Sequence, residues 1–237
     1  MALLGKGVLA IWNGIAAHSE AEFLNWHVHE HIRDRVILPG FLRARRYVAI
    51  DGQPRFFNFY ETEAVSDLTS DSYAAALNRP TPWTQKVVQH FTETSRTMCN
   101  VALTAGCGEG VVMETIRLSS QLERPQFVAR MAEDIIRPAA ARHTVVGAHL
   151  LEGLAPAQRV ETAETRLRGG VDEIADWVLL IETVRGETVT ELRDGLVGDD
   201  RLIACGARPG LRRGAYALQF ALSKAELLAS AEATRTP

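Results

Sequence analysis

Apolar positions in the first hundred residues change their spacing in an order that predicts a β-α-β-β-α-β unit. Alternating or continuous apolar runs indicate strands, and apolar residues three to four positions apart indicate helices. Ser19 and Glu22 have the spacing of a capping box at the start of the first helix. The predicted strands are 7–14, 41–50, 55–63 and 97–104, and the predicted helices are 19–36, 70–77 and 84–91.

The same order of elements begins again near residue 110. The predicted strands are 110–118, 144–152, 177–183 and 214–222, and the predicted helices are 124–142 and 188–197. We therefore predict an α+β fold of two tandem ferredoxin-like units, 1–107 and 108–237. A four-stranded sheet with helices on one face needs a cover on its other face. The two antiparallel sheets are therefore expected to pack as a pseudo-dimeric α+β barrel, within one chain or between two.

Composition and charge exclude several classes of protein. The 237 residues are 46% hydrophobic and 23% charged, which is typical of a globular protein. No apolar run approaches the roughly 20 residues of a membrane-spanning helix, so we expect no membrane partner. The net charge is −3 without a basic block, so we expect no nucleic-acid partner. The pairs Arg45-Arg46 and Arg212-Arg213 are interpreted as solvated strand ends.

The cysteines and the N-terminal segment suggest an intracellular setting. Cys99, Cys107 and Cys205 have no C-x-x-C spacing, which argues against a disulfide framework and a structural zinc site. We interpret them as small buried residues of a reducing compartment. The apolar stretch 8–12 is shorter than the roughly 7–15 residues of a signal-peptide core and is broken by Asn13. It predicts a first strand, and we expect a cytoplasmic protein.

The most unusual local feature is the segment Trp26-His27-Val28-His29-Glu30-His31. At about 100° per helical residue, His27 and His31 lie on the apolar side of the helix, whereas His29 points to solvent. Their spacing would let two imidazoles share a metal ion, but the motif supplies no third ligand. The alternatives are a general acid–base histidine beside a carboxylate, or hydrogen-bonded core histidines.

Strand alternation adds residues to a predicted pocket around this helix. Asn58 and Tyr60 share one face of the strand 55–63 and reach His31 if that face meets the helices. A buried Asn58 would need a hydrogen-bond partner. Trp83, which follows Pro80 and Pro82, is expected to act as a lid. The expected substrate-binding residues are His27, Trp12, Asn13, Asn58, Tyr60 and Trp83.

Several short motifs of the first half form a recognisable set. They are Phe23-Leu24-Asn25-Trp26, Glu30-His31-Ile32, Pro39-Gly40-Phe41-Leu42, Ala44-Arg45-Arg46-Tyr47, Tyr60-Glu61 and Pro80-Thr81-Pro82-Trp83-Thr84. Together they resemble bacterial proteins of the dimeric α+β barrel superfamily, whose nearest named relatives are EthD-type (ethyl tert-butyl ether degradation) proteins. The resemblance is clear over about residues 7–105 and looser in the second half.

The resemblance implies a pocket between helices and sheet, with Glu30-His31 as its polar feature. The superfamily includes cofactor-free monooxygenases, muconolactone-type isomerases, polyketide cyclases and haem-binding members, so the fold does not fix the reaction. This sequence carries His27 and His29 where relatives commonly carry Tyr and Glu. That departure weakens any metal site inferred by analogy and is consistent with a different substrate.

These observations predict a cofactor-independent enzyme, of the monooxygenase or isomerase type, that acts on a small apolar or aromatic molecule. His31 would be its acid–base group, supported by Glu30. The alternatives are a non-catalytic protein with a small-molecule ligand or a structural role and, less favoured, a haem-binding protein. We assign no metal or other cofactor and leave a homodimer open. Because the first helix of the second half lacks histidine, we expect the first half to carry the site.

Overall fold

Eight antiparallel strands close into one barrel in the computed structural model, which describes residues 3–154, 162–169 and 173–233. The strands are β1 (Gly7–Ile15), β2 (Phe41–Gly52), β3 (Phe56–Thr62), β4 (Phe91–Gly106), β5 (Val112–Leu118), β6 (Val145–Gly153), β7 (Trp177–Thr183) and β8 (Arg212–Ser223). Their order around the barrel is β1-β3-β2-β8-β5-β7-β6-β4, and β4 pairs with β1. The predicted α+β fold with an antiparallel sheet closed into a barrel is therefore confirmed.

The strand order shows how the barrel closes. The first four strands are arranged β4-β1-β3-β2 and the last four β8-β5-β7-β6, which is the ferredoxin-like order. β2 pairs with β8, and β4 pairs with β6, so the outer strands of one set are hydrogen-bonded to the outer strands of the other. All of these pairs form within this one chain.

Short helices pack against the outer face of the sheet. They are α1 (Glu20–Trp26), α2 (Ile32–Val36), α3 (Asp71–Asn78), α4 (Pro82–Val88), α5 (Arg124–Met131), α6 (Arg137–Ala140), α7 (Ala163–Arg168), α8 (Glu187–Arg193), α9 (Asp199–Ala204) and α10 (Lys224–Ala233), with 3₁₀ helices at Ala17–Ser19 and Val65–Thr69. The π-helical turn His27–His31 joins α1 to α2, and Ala132–Ile136 joins α5 to α6. Each joined pair is one continuous helix.

The predicted and observed elements differ mainly at helix ends and in short helices. Ser19 has φ −108° and ψ 0° instead of the extended backbone of an N-cap, and its hydroxyl makes no capping hydrogen bond. The predicted capping box is therefore wrong. The sequence prediction also missed α7, α9 and α10. α7 and α9 have six residues each, too few for helical periodicity to show.

The alternation of side chains along each strand separates a barrel interior from an outer layer beneath the helices. On β3, Phe57 and Phe59 face the interior, whereas Tyr60 faces the helices. Trp12 of β1 also lies inside, where its ring centroid is 4.9 Å from that of Phe57 and its Nε1 donates to Thr115 Oγ1 at 3.2 Å. Trp12 therefore packs in the barrel interior instead of contributing to the expected helix–sheet pocket.

Two further expectations concern the burial of the cysteines and the absence of a membrane-spanning helix. Cys99 and Cys205 are buried as predicted, whereas Cys107 is exposed, and all three are free thiols. Cys107 follows the end of β4, in the connection to β5, where no regular element covers it. Within the described ranges, no helix is both long enough and apolar enough to cross a membrane.

Arg45 carries its charge inside the barrel. Its guanidinium is fully buried, donates to both carboxylate oxygens of Glu182 at 2.8 and 3.2 Å, and lies 3.3 Å from Glu61. Glu182 and Glu61 also accept hydrogen bonds from the backbone N–H groups of Gly110 and Leu4, which precede β5 and β1. The prediction that Arg45 is a solvated strand end is wrong, because carboxylates from other strands neutralise its charge inside the barrel.

We expect Glu182→Gln to lower the free energy of unfolding at neutral pH by about 3–5 kcal/mol, because Arg45 then keeps an unpaired buried charge. Burial by itself raises the pKa of Glu182, but the hydrogen bond with His149 and the charge of Arg45 outweigh burial and lower this pKa to about 2. The native carboxylate therefore stabilises the fold above the unfolded-state pKa of about 4.3, and this contribution is lost as pH falls toward 2. Chemical denaturation of both proteins should show their difference shrinking over that range.

The matched control is Glu152→Gln. Glu152 forms an ion pair with Arg124, whose side chain is 58% exposed. Exposed pairs of this kind contribute about 0–1 kcal/mol. Equal losses in Glu182→Gln and Glu152→Gln would contradict the stronger role given to the interior pair.

Candidate functional site

The π-helical turn between α1 and α2 places two histidines side by side. The rings of His27 and His31 are stacked with centroids 5.5 Å apart, and both side chains face the sheet, whereas His29 is exposed. His27 is buried and His31 is half-buried. The predicted orientation of the three side chains is confirmed. Turns of this π-helical kind occur frequently at functional sites.

Two hydrogen bonds fix the position of the proton on His27. Arg46 Nη1 lies 3.4 Å from His27 Nδ1, and because a guanidinium only donates, Nδ1 accepts. Neutral His27 therefore carries its proton on Nε2, which donates to the hydroxyl oxygen of Tyr60 at 3.2 Å. Arg46 is buried and also donates to the carbonyl oxygen of Leu24, so it too differs from the predicted solvated strand end.

Burial keeps His27 and Tyr60 in their neutral forms. Burial, followed by the positive charge of Arg46, lowers the pKa of His27 well below its ordinary value. Burial raises the pKa of Tyr60, so its hydroxyl keeps its proton. The hydroxyl oxygen accepts from His27, and the described residues provide no acceptor for the hydroxyl proton. Tyr60 therefore offers a hydrogen-bond donor to the cavity that it lines.

His31 presents a neutral imidazole to the same cavity. Its ring centroid lies 4.3 Å from that of Trp26 and 6.4 Å from that of Tyr60, to which it is edge-on. No hydrogen bond from the described residues reaches its ring nitrogens. Burial, followed by the charge of Arg35, lowers the pKa of His31 well below its ordinary value. At neutral pH, His31 is therefore a base whose nitrogens are available to a ligand.

The cavity lies between the outer face of β1 to β4 and the helices α1 to α4 and α7. Its volume is about 50 Å³, and a second cavity of about 100 Å³ shares part of its wall. Its lining consists of Leu9, Ile11, Trp26, His31, Arg35, Phe41, Tyr60, Tyr73, Leu77, Val88, Phe91, Arg96, Glu164 and Arg168. An engineered apolar cavity of about 150 Å³ holds one benzene molecule. The cavity that His31 lines is smaller than this by itself, and the two cavities reach the volume of one aromatic ring only when taken together.

The lining includes charged side chains that sequence reasoning missed. Arg35 is buried and forms an ion pair with Glu164 of α7. Arg96 of β4 donates from Nη2 to the hydroxyl of Tyr73 at 2.9 Å. Arg35 follows His31 by four residues and so shares its helix face, which is a signal that the sequence contains. No local pattern links Arg35 to Glu164, which is 129 residues away.

Asn13 and Asn58 lie outside the cavity lining. Asn58 Nδ2 donates to Asn13 Oδ1 at 2.7 Å, and both side chains are buried. The predicted need of Asn58 for a hydrogen-bond partner is confirmed. The contact of these two amides is with each other, so their position does not support the expected contact with a substrate.

Glu30 supports α4 and the indole of Trp26 instead of His31. Its Oε1 accepts hydrogen bonds from Trp26 Nε1 at 3.2 Å, from Thr84 Oγ1 at 3.1 Å and from Thr81 Oγ1 at 2.5 Å. These donors surround the carboxylate, and none of its described hydrogen bonds reaches His31. The expectation that Glu30 supports His31 directly is corrected accordingly.

Trp83 packs against the histidine helix and does not line the cavity. Its Nε1 donates to Glu22 Oε1 at 2.7 Å, and its ring contacts the cluster around Phe23. The cavity is covered by α3 and α7, which contribute Tyr73 and Glu164 to the lining. Trp83 therefore does not cover this cavity, contrary to the expectation that it acts as a lid.

The donor set at the histidine helix does not form a metal centre. Over the ranges that the structure describes, no three His, Cys, Asp or Glu side chains are grouped to hold a metal ion. Both ring nitrogens of His27 are engaged, one by Arg46 and the other by Tyr60. The four-residue spacing of His27 and His31 therefore serves stacking and hydrogen bonding.

Comparison with known proteins relates this arrangement to solved structures. No family model matches the sequence, and no curated protein matches it. An anthrone oxidase-like protein superposes with a TM-score of 0.61 at 13% identity, over 96% of this chain and 97% of the other. A proposed monooxygenase from Lactobacillus acidophilus superposes with a TM-score of 0.56 at 8% identity, over 92% and 97%. A haem-binding protein from Thermus thermophilus superposes with a TM-score of 0.52 at 10% identity, over 95% of this chain and 94% of the other.

The low identities mean that these similarities show the fold alone. They extend over nearly the whole of each chain, so the complete barrel is shared, including both sets of four strands. What the site of this chain does has to be argued from its own residues.

The two buried histidines are expected to make stability depend on pH. Their native pKa values lie well below the ordinary value of about 6.5, so the unfolded chain binds more protons once the pH falls below that value. Each histidine should therefore lower the free energy of unfolding by up to about 1.4 kcal/mol per pH unit between about pH 6.5 and 5. Chemical denaturation at several pH values across this range measures the slope.

His29 provides the control on the same helix, because its side chain is exposed. His29→Asn is expected to keep the wild-type slope, whereas His31→Asn should reduce it and the double variant His27→Asn/His31→Asn should abolish it. A double variant with the wild-type slope would contradict the assignment of two neutral buried histidines.

Proposed function

We propose that the cavity between the histidine helix and the sheet is the active site of a cofactor-independent enzyme that removes a proton from a small aromatic molecule. The observation that supports it most is the pairing of two groups at one cavity. His31 offers a neutral base, and Tyr60 offers a hydroxyl proton whose direction is set by His27. General-base catalysis of this kind contributes about 10²–10⁴-fold to a rate.

The proposed first step moves one proton and leaves one negative charge. A ring nitrogen of His31 takes a proton from a carbon next to a carbonyl group. The electron pair of that C–H bond forms a C=C bond to the carbonyl carbon, and the π pair of the C=O bond moves onto the oxygen to give an enolate. Tyr60 donates a hydrogen bond to this oxygen as the charge develops. Arg46 keeps Nδ1 of His27 as an acceptor, so His27 continues to donate to Tyr60 and leaves the hydroxyl proton for the substrate.

The anion then has two outcomes, which correspond to the two predicted reaction types. In an isomerase, His31 returns the proton to a different carbon. In a monooxygenase, the anion reacts with O₂ to form a peroxide, which takes the proton from His31 and loses water to leave a new carbonyl group. The fold neighbours described as anthrone oxidase-like and as a proposed monooxygenase favour the oxygen-dependent outcome. The proposal includes the resemblance of this sequence to EthD-type proteins.

We also propose that residues 1–107 and 108–237 arose by duplication and that the first half carries the chemistry. The two halves have the same strand order and a π-helical turn at the same place in the first helix. Aligned on these features, the second half has Ala132 for His27, Ile136 for His31, Ala140 for Arg35 and Ile181 for Tyr60. At these four positions a polar residue of the first half thus corresponds to an apolar residue, which supports a structural role for the second half.

Haem is a poor fit to this cavity. The haem-binding neighbour suggests the group by fold alone. Here the two cavities, of about 50 and 100 Å³, together have the volume of one ring, whereas a porphyrin has four. His27 has no free nitrogen for iron. We therefore propose no haem-dependent step; binding of a small ligand without turnover, and a homodimer, remain alternatives for experiment.

Exchange of the methylene protons of phenylacetone in D₂O, followed by proton NMR, tests the first step. The wild-type protein is expected to accelerate exchange, and His31→Asn should reduce the acceleration by about 10²-fold or more because the base is lost. Tyr60→Phe removes one donor to the developing charge and should reduce it by about 10²-fold. Unchanged melting temperatures would separate catalytic loss from unfolding.

His29→Asn is the matched control and should exchange the probe at the wild-type rate. An oxygen electrode on the same mixture separates the two outcomes of the anion, because only the monooxygenase reaction consumes O₂. Equal exchange by wild type and His31→Asn would overturn the role of His31, and binding of phenylacetone without exchange would favour the non-catalytic alternative.

A further inference from the structure

We propose that the substrate of this cavity is a single-ring aromatic carboxylate, and that its carboxylate binds Arg35 in place of Glu164. The inference deepens the proposed function, on which it rests for the identity of the site. It concerns recognition of the ligand and does not depend on which reaction follows. Among the described residues, the ion pair between Arg35 and Glu164 is the one that joins α2 to α7 in the cavity wall.

The buried guanidinium of Arg35 needs an anion beside it in the cavity wall. Its side chain is 8% exposed, and its guanidinium donates to Glu164, whose side chain is 13% exposed. A guanidinium buried to this degree is costly unless an anion accompanies it. The planar guanidinium also matches a carboxylate better than any other cationic side chain does.

In this structure, Glu164 takes the place beside Arg35 that we propose for the carboxylate of the substrate. Burial raises the pKa of its carboxyl, against the lowering effect of Arg35, Arg96 and Arg168, so its charged form is held in a site where it is poorly solvated. Glu164 is the only carboxylate among the described residues that line this cavity. Replacement of Glu164 by a substrate carboxylate on Arg35 would preserve the charge balance and open the wall between the two cavities.

The ring of such a ligand has a place beside the catalytic groups. Arg35 lies one helical turn after His31, so a carboxylate on Arg35 directs the remainder of the ligand along the cavity toward His31. The walls there are aromatic, with Trp26, Phe41 and Tyr60 in the lining. The combined volume suits one ring, and aromatic walls favour offset or edge-on contacts with it. Charge and shape together thus favour an aromatic acid over a neutral ligand.

Benzoate and benzamide test this assignment, because they have nearly the same shape and differ in charge. Calorimetric titration of the full chain at neutral pH is expected to show benzoate binding at least 10-fold more tightly than benzamide. Arg35→Met should reduce this preference to less than 2-fold. Glu164→Gln should tighten benzoate at least 5-fold and leave benzamide unchanged, because the competing carboxylate is removed.

Arg33→Met is the matched control, since Arg33 lies on the exposed side of the same helix. It should keep the wild-type preference; an equal loss in Arg33→Met and Arg35→Met would overturn the proposal in favour of general surface charge. Equal affinity of the wild type for both probes, or no binding of either, would also overturn it. If Arg35→Met does not fold, the response of Glu164→Gln decides, and unchanged benzoate affinity counts against the proposal.

His31→Asn distinguishes this inference from the proposed reaction. It should abolish proton exchange and retain the preference for benzoate, because Arg35 is intact. Failure of exchange in the wild type with a retained benzoate preference would overturn the reaction and leave the ligand assignment standing.

Discussion

The buried ion pair between Arg45 and Glu182 is the interaction on which the closed barrel depends. Arg45 comes from β2 and Glu182 from β7, so the pair links the two sets of strands across the interior. Glu61 and Glu182 each bind a backbone N–H in the segment that precedes the first strand of their own set. Each set supplies part of the pairing, since Arg45 lies 3.3 Å from Glu61 and His149 lies 3.3 Å from Glu182, and the contact between Arg45 and Glu182 completes it for two groups whose unpaired charge would cost several kcal/mol. Barrel closure and charge pairing therefore occur together.

The outer site is tied to this interior pair by strand alternation. Arg45 points inward to Glu182, and its neighbour Arg46 points outward to His27. On β3, Glu61 points inward, and the preceding Tyr60 points outward to the same histidine. A register shift of one residue in β2 or β3 would exchange these faces and place charges in the wrong layer. The interior ion pairs thus fix the register that assembles the candidate active site.

Local patterns in the sequence predict the strands and the faces of the histidine helix, because the spacing of apolar residues in a strand or helix can be read from residues close together in the chain. They predict that His27 and His31 face the sheet and that His29 does not. They do not predict the environment of Arg45, because its partner Glu182 is 137 residues away and two adjacent arginines in a strand resemble a solvated end. The same limit applies to Glu164, which reaches Arg35 from a helix too short to be periodic. Long-range pairing of charges therefore explains why Arg35 and Glu164 were missed, whereas Trp12 was misplaced because the sequence does not show which face of β1 meets the helices.

The two halves of the barrel show that the polar layer of the first half is not required by the fold. In the second half, the matching outer positions of β7 and the first helix are occupied by Leu179, Ile181 and Ile136, which pack in an apolar core. In the first half, Asn58 has a buried Oδ1 without a hydrogen-bond donor among the described residues, and His27 is held neutral far from its ordinary pKa. Unsatisfied or desolvated polar groups of this kind lower stability relative to an apolar core. The fold thus supports an apolar layer in one half and a costlier polar layer in the other, which is the pattern expected if the polar layer has the proposed function.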